Sequence, residues 1–184
     1  MASVLYVPPC PTDCSGAVGE VLFNDCVPEL HWGEISYLYI VGSDFAGFTD
    51  VIDLAEWTAN LDQVADDKIR KLTVIGELPE AEVTEVEYSG DRVAIGYKTF
   101  NLAFEVDETN ETNYSFLLQT ECGGKYLIWF ETYDGILYGG NDGIEASVYL
   151  NLMIPRERTA LVKYMGKATW KNLQSPFRCD TPMV

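Results

Sequence analysis

The chain has one histidine, His31, and only 12 lysines and arginines against 29 aspartates and glutamates, a formal net charge of −17. A lone histidine must serve any Ser-His or Cys-His arrangement, and no Gly-x-Ser-x-Gly elbow accompanies it, so no enzyme is expected. His31 itself, between Leu30 and Trp32, reads as a packed or surface residue. The scarcity of bases argues against nucleic acid as a bound partner and against anionic membrane surfaces, both of which repel a chain of this sign. Long apolar runs are missing as well. The stretches Tyr37 to Val41 and Tyr126 to Phe130 are short, whereas a membrane-spanning helix needs about 20 apolar residues. The N-terminus carries neither a basic n-region nor a sustained apolar h-region, so no signal peptide is expected. The string YGGNDG (138–143) has no following Lys-Ser/Thr and opens no helix, so it reads as a turn, not a phosphate loop. No repeat of 20–50 residues is visible.

What is present suffices for one domain: 184 residues, 47% hydrophobic and 22% charged. The charge is uneven. Residues 1–120 hold 22 acids and 5 bases, while residues 121–184 hold 7 of each. Arg156, Arg158, Lys163, Lys167, Lys171 and Arg178 make the C-terminal element mildly basic, with Glu157 the one acid from Ile154 to Arg178. Five cysteines without a signal peptide favour reduced thiols over a disulfide framework. Cys10, Cys14, Cys26 and Cys179 have spacings open to a structural Zn²⁺, with free buried thiols or an opportunistic disulfide as the plainer alternatives. No cofactor is expected. Acidic pairs such as Asp66-Asp67 and Glu105/Asp107 are read as a solvated acidic face, since 29 acids produce such pairs by chance.

Three regions follow: a Cys/Pro-rich arm (1–30) with a short strand over Ala17 to Phe23, a β-rich core (31–173) and an extended tail (174–184). Within the core, ISYLYIV (35–41) is a strand. Asp53 with Glu56 has capping-box spacing for a helix whose face is Leu54, Trp57, Thr58 and Leu61, with Trp57 as core anchor. Strands are expected over Lys68 to Gly76 and Glu82 to Tyr88, and a Ser89-Gly90-Asp91 turn leads into the run Arg92 to Val106. There Phe100, Leu102, Phe104 and Val106 face one way, with Asn101, Ala103 and Glu105 opposite. A second helix, Glu111 to Thr120, carries a stripe of Tyr114, Leu117 and Leu118 and ends at Gly123-Gly124. Strands Lys125 to Thr132, Ile144 to Ile154 and Thr159 to Trp170 complete the set. This predicts an α+β, mainly β fold: a β-sandwich or partly open barrel with one or two short flanking helices.

The stretches ISYLYIV (35–41), GFTDVIDLAEW (47–57), TNYSFLLQTEC (112–122) and LYGGNDGIEASVYLNLMIP (137–155) together resemble virion structural proteins of tailed bacteriophages that infect Bacteroidales. The order of strand, acidic helix and strand pair is similar to phage tail-tube proteins, which share a β-sandwich with a flanking helix. The resemblance spans residues 30–175, and the arm has no counterpart in it. It implies a self-assembling tail tube or ring component, located in the virion and assembled in the host cytoplasm. Its partners would be itself and other virion proteins, and genomic DNA would pass through without binding. A capsid decoration or head–tail adaptor protein is the alternative within this class. A carbohydrate- or protein-binding β-sandwich is the alternative outside it.

Charge narrows the residues such an assembly would use. Arg156, Arg158, Lys163 and Lys167 are the expected assembly element, with Lys163, Lys167 and Leu161 on one strand face. Glu82, Glu85, Glu87, Glu105, Asp107 and Glu108 are the expected lumen-facing acids, which would repel passing phosphates.

Overall fold

The computed structural model describes residue 31 and residues 33–65, 67–88 and 92–183. The expected arm (1–30), with its Ala17 to Phe23 strand and Cys10, Cys14 and Cys26, lies outside the described residues. So do Asp66 and the Ser89-Gly90-Asp91 turn. The elements are β1 (Ile35–Gly42), α1 (Leu54–Asn60), β2 (Arg70–Glu77), β3 (Glu82–Tyr88), β4 (Arg92–Val106), α2 (Glu111–Thr120), β5 (Gly124–Thr132), β6 (Ile136–Tyr138), β7 (Ile144–Met153), β8 (Lys163–Asn172) and β9 (Arg178–Asp180).

The fold is mainly β, as the alternation predicts, but the sheet closes on itself. The strands run in the order β1-β2-β4-β8-β7-β5, and antiparallel pairing of β1 with β5 completes a six-stranded barrel. The expected barrel is met in part, as a closed one with extra strands, and a β-sandwich is not confirmed. Closure comes from Leu38 pairing with Phe130 and Tyr39 with Trp129, contacts some 90 residues apart in sequence that local patterning does not reveal. It also explains the near-continuous apolar character of ISYLYIV. Leu38 and Ile40 fill the barrel, while Tyr39 and Val41 join a second cluster on its outer wall.

A barrel this narrow is packed with its own side chains. Large residues on β4 meet small ones on β8. Phe104 pairs with Gly166, and Leu102 with Ala168. A Cβ on Gly166 would lie 2.2 Å from the Phe104 Cζ, so the glycine is the space that the ring occupies. The predicted alternation of β4 holds from Phe100 to Val106, all four apolar residues being buried.

The outer cluster seats α1. Asp53 caps the helix through a 2.9 Å bond from the Ala55 N–H, whereas Glu56 reaches past the cap to accept from the Thr49 N–H at 2.8 Å. The capping box is therefore replaced by a longer clasp. Of the expected face, Trp57 is fully buried and Leu61 partly so, but Leu54 is 51% exposed and Thr58 also faces solvent. A seven-residue helix touches the barrel at little more than one point. There the Trp57 Nε1–H donates to the Val51 carbonyl (2.8 Å), and its ring meets Phe48, Tyr39 and Trp129 at 4.4, 5.0 and 5.9 Å.

The YGGNDG loop is a turn, and it clamps Trp129. Gly139, Gly140 and Gly143 all have positive φ, and a Cβ on Gly139 or Gly143 would strike the indole. The Trp129 Nε1–H donates to the Gly140 carbonyl at 2.7 Å. Asn141 in the same loop ties down the segment before α1. Its backbone carbonyl accepts from Phe48, its side-chain oxygen accepts from Val51 (3.0 Å), and its amide donates to the Thr49 carbonyl (3.1 Å).

α2 is capped by Asn110, which accepts from the Asn113 N–H at 2.9 Å. Its buried residues are Leu117 and Thr120, with Phe116 partly buried, while Tyr114 and Leu118 of the expected stripe face outward. Towards the C-terminus, residues 174–183 are extended but docked. β9 pairs with β6, and Cys179 is buried in the outer cluster.

Candidate assembly surface

The inward–outward alternation of β7 runs cleanly through Ala146, Val148 and Leu150, then stops. Leu152, Met153 and Ile154 are consecutive, apolar and exposed, because β7 here passes beyond the barrel rim. The return segment adds Leu161 and Val162. Ile154 is 71% exposed and Leu161 67%. Five apolar side chains thus line the end of one hairpin, with Leu118 and Tyr114 exposed on the helix packed against β7. Exposed apolar side chains gathered at one end of a hairpin point to an interaction site more than scattered single residues do. Sequence reasoning overlooked this strip, although three apolar residues in succession after an alternating run were its signal.

Arg156 and Arg158 sit on the loop between these two arms, both exposed, and make no ion pair among the described residues. Lys163 and Lys167 are placed differently. The strand expected from Thr159 begins only at Lys163, because a turn closed by the Ala160 N–H to the Glu157 carbonyl (3.2 Å) precedes it. Leu161 therefore lies outside the strand and shares no face with the lysines. Lys163 and Lys167 do share the outer face of β8, which alternates with buried Tyr164, Gly166 and Ala168. Lys163 is already engaged: its Nζ is 2.7 Å from a Glu105 carboxylate oxygen and 3.6 Å from one of Asp107. The Glu105 hydrogen bond in particular holds the ammonium above its usual range. Lys167 lies roughly 13 Å further along the strand, four residues at the usual rise, opposite Ala103 and Tyr149.

The six acids do not form one patch. Glu105 and Asp107 stand at the α2 end of β4, facing Lys163, and Glu108 accepts from the Asn110 amide (3.1 Å). Glu82, Glu85 and Glu87 lie on β3, which pairs with the opposite end of β4. Alternation along β3 puts Glu82 on one face and Glu85 and Glu87 on the other. All three are exposed.

Two clefts of about 600 Å³ each indent the surface. One runs beneath Trp170 and Phe177; the other lies where β2 and β4 part beside α2. Neither holds a histidine or a cysteine among the described residues, and no three His, Cys, Asp or Glu side chains there converge as metal ligands. Of the four cysteines weighed for zinc, Cys179 alone is described, and burial pushes its thiol up to about 11. His31 contacts Asp134 at 3.0 Å, and Asp134 accepts from the Thr132 hydroxyl at 2.6 Å, a link that ties the start of β1 to the β5–β6 turn. One buried carboxylate went unforeseen: Glu131 accepts from the Tyr39 hydroxyl at 2.7 Å. Burial, reinforced by that carboxylate, drives the phenol far above its ordinary range. No protein-family model and no curated protein matches the chain.

Proposed function

We propose that this chain is a self-assembling structural protein of a tailed-phage virion, a tail tube or ring component. The observation that carries the reading is the exposed apolar strip Leu152–Ile154 with Leu161 and Val162, flanked by Arg156 and Arg158, which make no ion pair among the described residues. Such a strip is costly on a permanent monomer and favourable in a subunit interface. The resemblance of segments 35–41, 47–57, 112–122 and 137–155 to tailed-phage virion proteins selects the kind of assembly.

The packed barrel supports a conduit that runs outside the single subunit. Leu102, Phe104, Ile128, Phe130, Val148 and Leu150 fill the barrel interior, so DNA passes through a ring of subunits and not through one subunit. With a net charge of −17, a ring wall repels the phosphate backbone and lets the genome slide. Glu105 and Asp107 contribute less to that field, since Lys163 offsets them locally.

Negative-stain microscopy of the purified chain tests the reading. Rings or tubes are the expected result. Dispersed monomers at all protein concentrations would refute it and favour a ligand-binding module.

A further inference from the structure

The long strand β4 sets two surfaces at opposite ends of the molecule. β8 pairs with β4 only from Lys98 to Val106, so residues 92–97 and the part of β3 that pairs with them, residues 84–88, stand beyond the barrel as a hairpin. At the other end, Tyr164 pairs with Val106, and the β7–β8 loop projects past it. The fourteen residue steps of β4 span roughly 46 Å. Within one subunit the two projections cannot meet.

Their chemistry is complementary. Residues 72–88 contain Glu77, Glu80, Glu82, Glu85 and Glu87 and no base. Among the described residues β3 pairs on one side only, which leaves its outer edge without a strand partner there. Val83 and Val86 on this strand are 49% and 41% exposed. Edge strands that merely resist aggregation are guarded by charge alone, most often lysine; here Val83 shares a face with Glu85 and Glu87, and Val86 shares one with Glu82. The β7–β8 loop offers the counterpart: apolar Ile154 and Leu161 beside Arg156 and Arg158, whose guanidinium groups are free among the described residues.

We infer that the β3 edge of one copy receives the β7–β8 loop of a second copy, head to tail. The apolar residues of the loop cover Val83, and Arg156 and Arg158 meet Glu85 and Glu87 on the same face of the strand. Two different patches in contact make a heterologous interface, which propagates into a closed ring or an open filament according to the rotation between copies. This inference rests on the self-assembly reading and specifies the contact behind it.

Charge swapping tests it. Sedimentation velocity is compared for the parent chain, Arg156→Glu/Arg158→Glu, Glu85→Lys/Glu87→Lys and the fourfold exchange, with circular dichroism showing that each is folded. Each one-sided reversal is expected to weaken association about tenfold or more, because like charges then face each other. The fourfold exchange is expected to restore it. If that variant fails to fold, an equimolar mixture of the two one-sided variants provides the same complementary pair. Reversals without effect, or losses that neither exchange nor mixing repairs, would overturn this contact while leaving self-assembly intact. A parent chain that never associates would overturn self-assembly itself.

Discussion

Gly166→Ala is the most informative single change to the barrel. The new Cβ would meet Phe104 at 2.2 Å from Cζ, 2.3 Å from Cε2 and 2.7 Å from Cε1, where ordinary contact begins at 3.4 Å. The ring, 1% exposed and enclosed on all sides, must move by more than about 1 Å or push β8 away from β4. Overpacking on this scale costs about 3 kcal/mol. Leucine at position 104 has none of the three atoms concerned, so Phe104→Leu removes the clash at the cost of a cavity, about 1–2 kcal/mol. In that background Gly166→Ala should be neutral or stabilising by about 0.5 kcal/mol, since alanine restricts the unfolded chain. The pair should therefore couple by about 3 kcal/mol in a double-mutant cycle, read from urea unfolding followed by tryptophan fluorescence. Additive effects within about 0.5 kcal/mol would refute the claim that the glycine exists to admit the ring.

Two further changes probe the outer cluster. Asn141→Ala leaves the Val51 N–H, at a fully buried residue, without its acceptor; a loss of about 2 kcal/mol and a Tm lower by roughly 4–8 °C are expected in thermal unfolding, and an unchanged Tm would count against the loop clasp. Cys179 gives a pH signature: its folded thiol holds its proton up to about 11 against an ordinary 9.0. That contribution is fully present below about pH 9 and disappears as pH rises to about 11, a loss of about 3 kcal/mol. Urea midpoints measured from pH 8 to 11 should fall less steeply for Cys179→Ala than for the parent, and parallel curves would show the thiol is not responsible.

Local chemistry made some elements legible before any coordinates. Period-two hydrophobicity identified β4 over Phe100 to Val106, and Gly123-Gly124 marked the end of α2. What escaped was set by distant partners. Leu118 and Tyr114 look like a buried stripe until the barrel rim takes Phe116, Leu117 and Thr120 instead. β6 and β9 are three residues each, too short for periodicity, and exist because they pair with each other and with β5. The candidate site was half visible. Arg156 and Arg158 stood out by charge, but the engagement of Lys163 by Glu105, 58 residues away, has no local signature. The apolar strip beside them was masked by resembling ordinary core strand.

The continuity of β4 also has a mechanical consequence. The projecting hairpin and the barrel wall share one strand, which is bonded to β8 through nine successive residue pairs from Lys98 to Val106. Tension applied to the hairpin along β4 loads those bonds sideways and together, because antiparallel bonds lie perpendicular to the strand. The barrel must then slip as a unit and cannot be peeled open one bond at a time. A hairpin held by a flexible linker would detach or swing under the same load; this one hands the force directly to the most deeply packed part of the molecule.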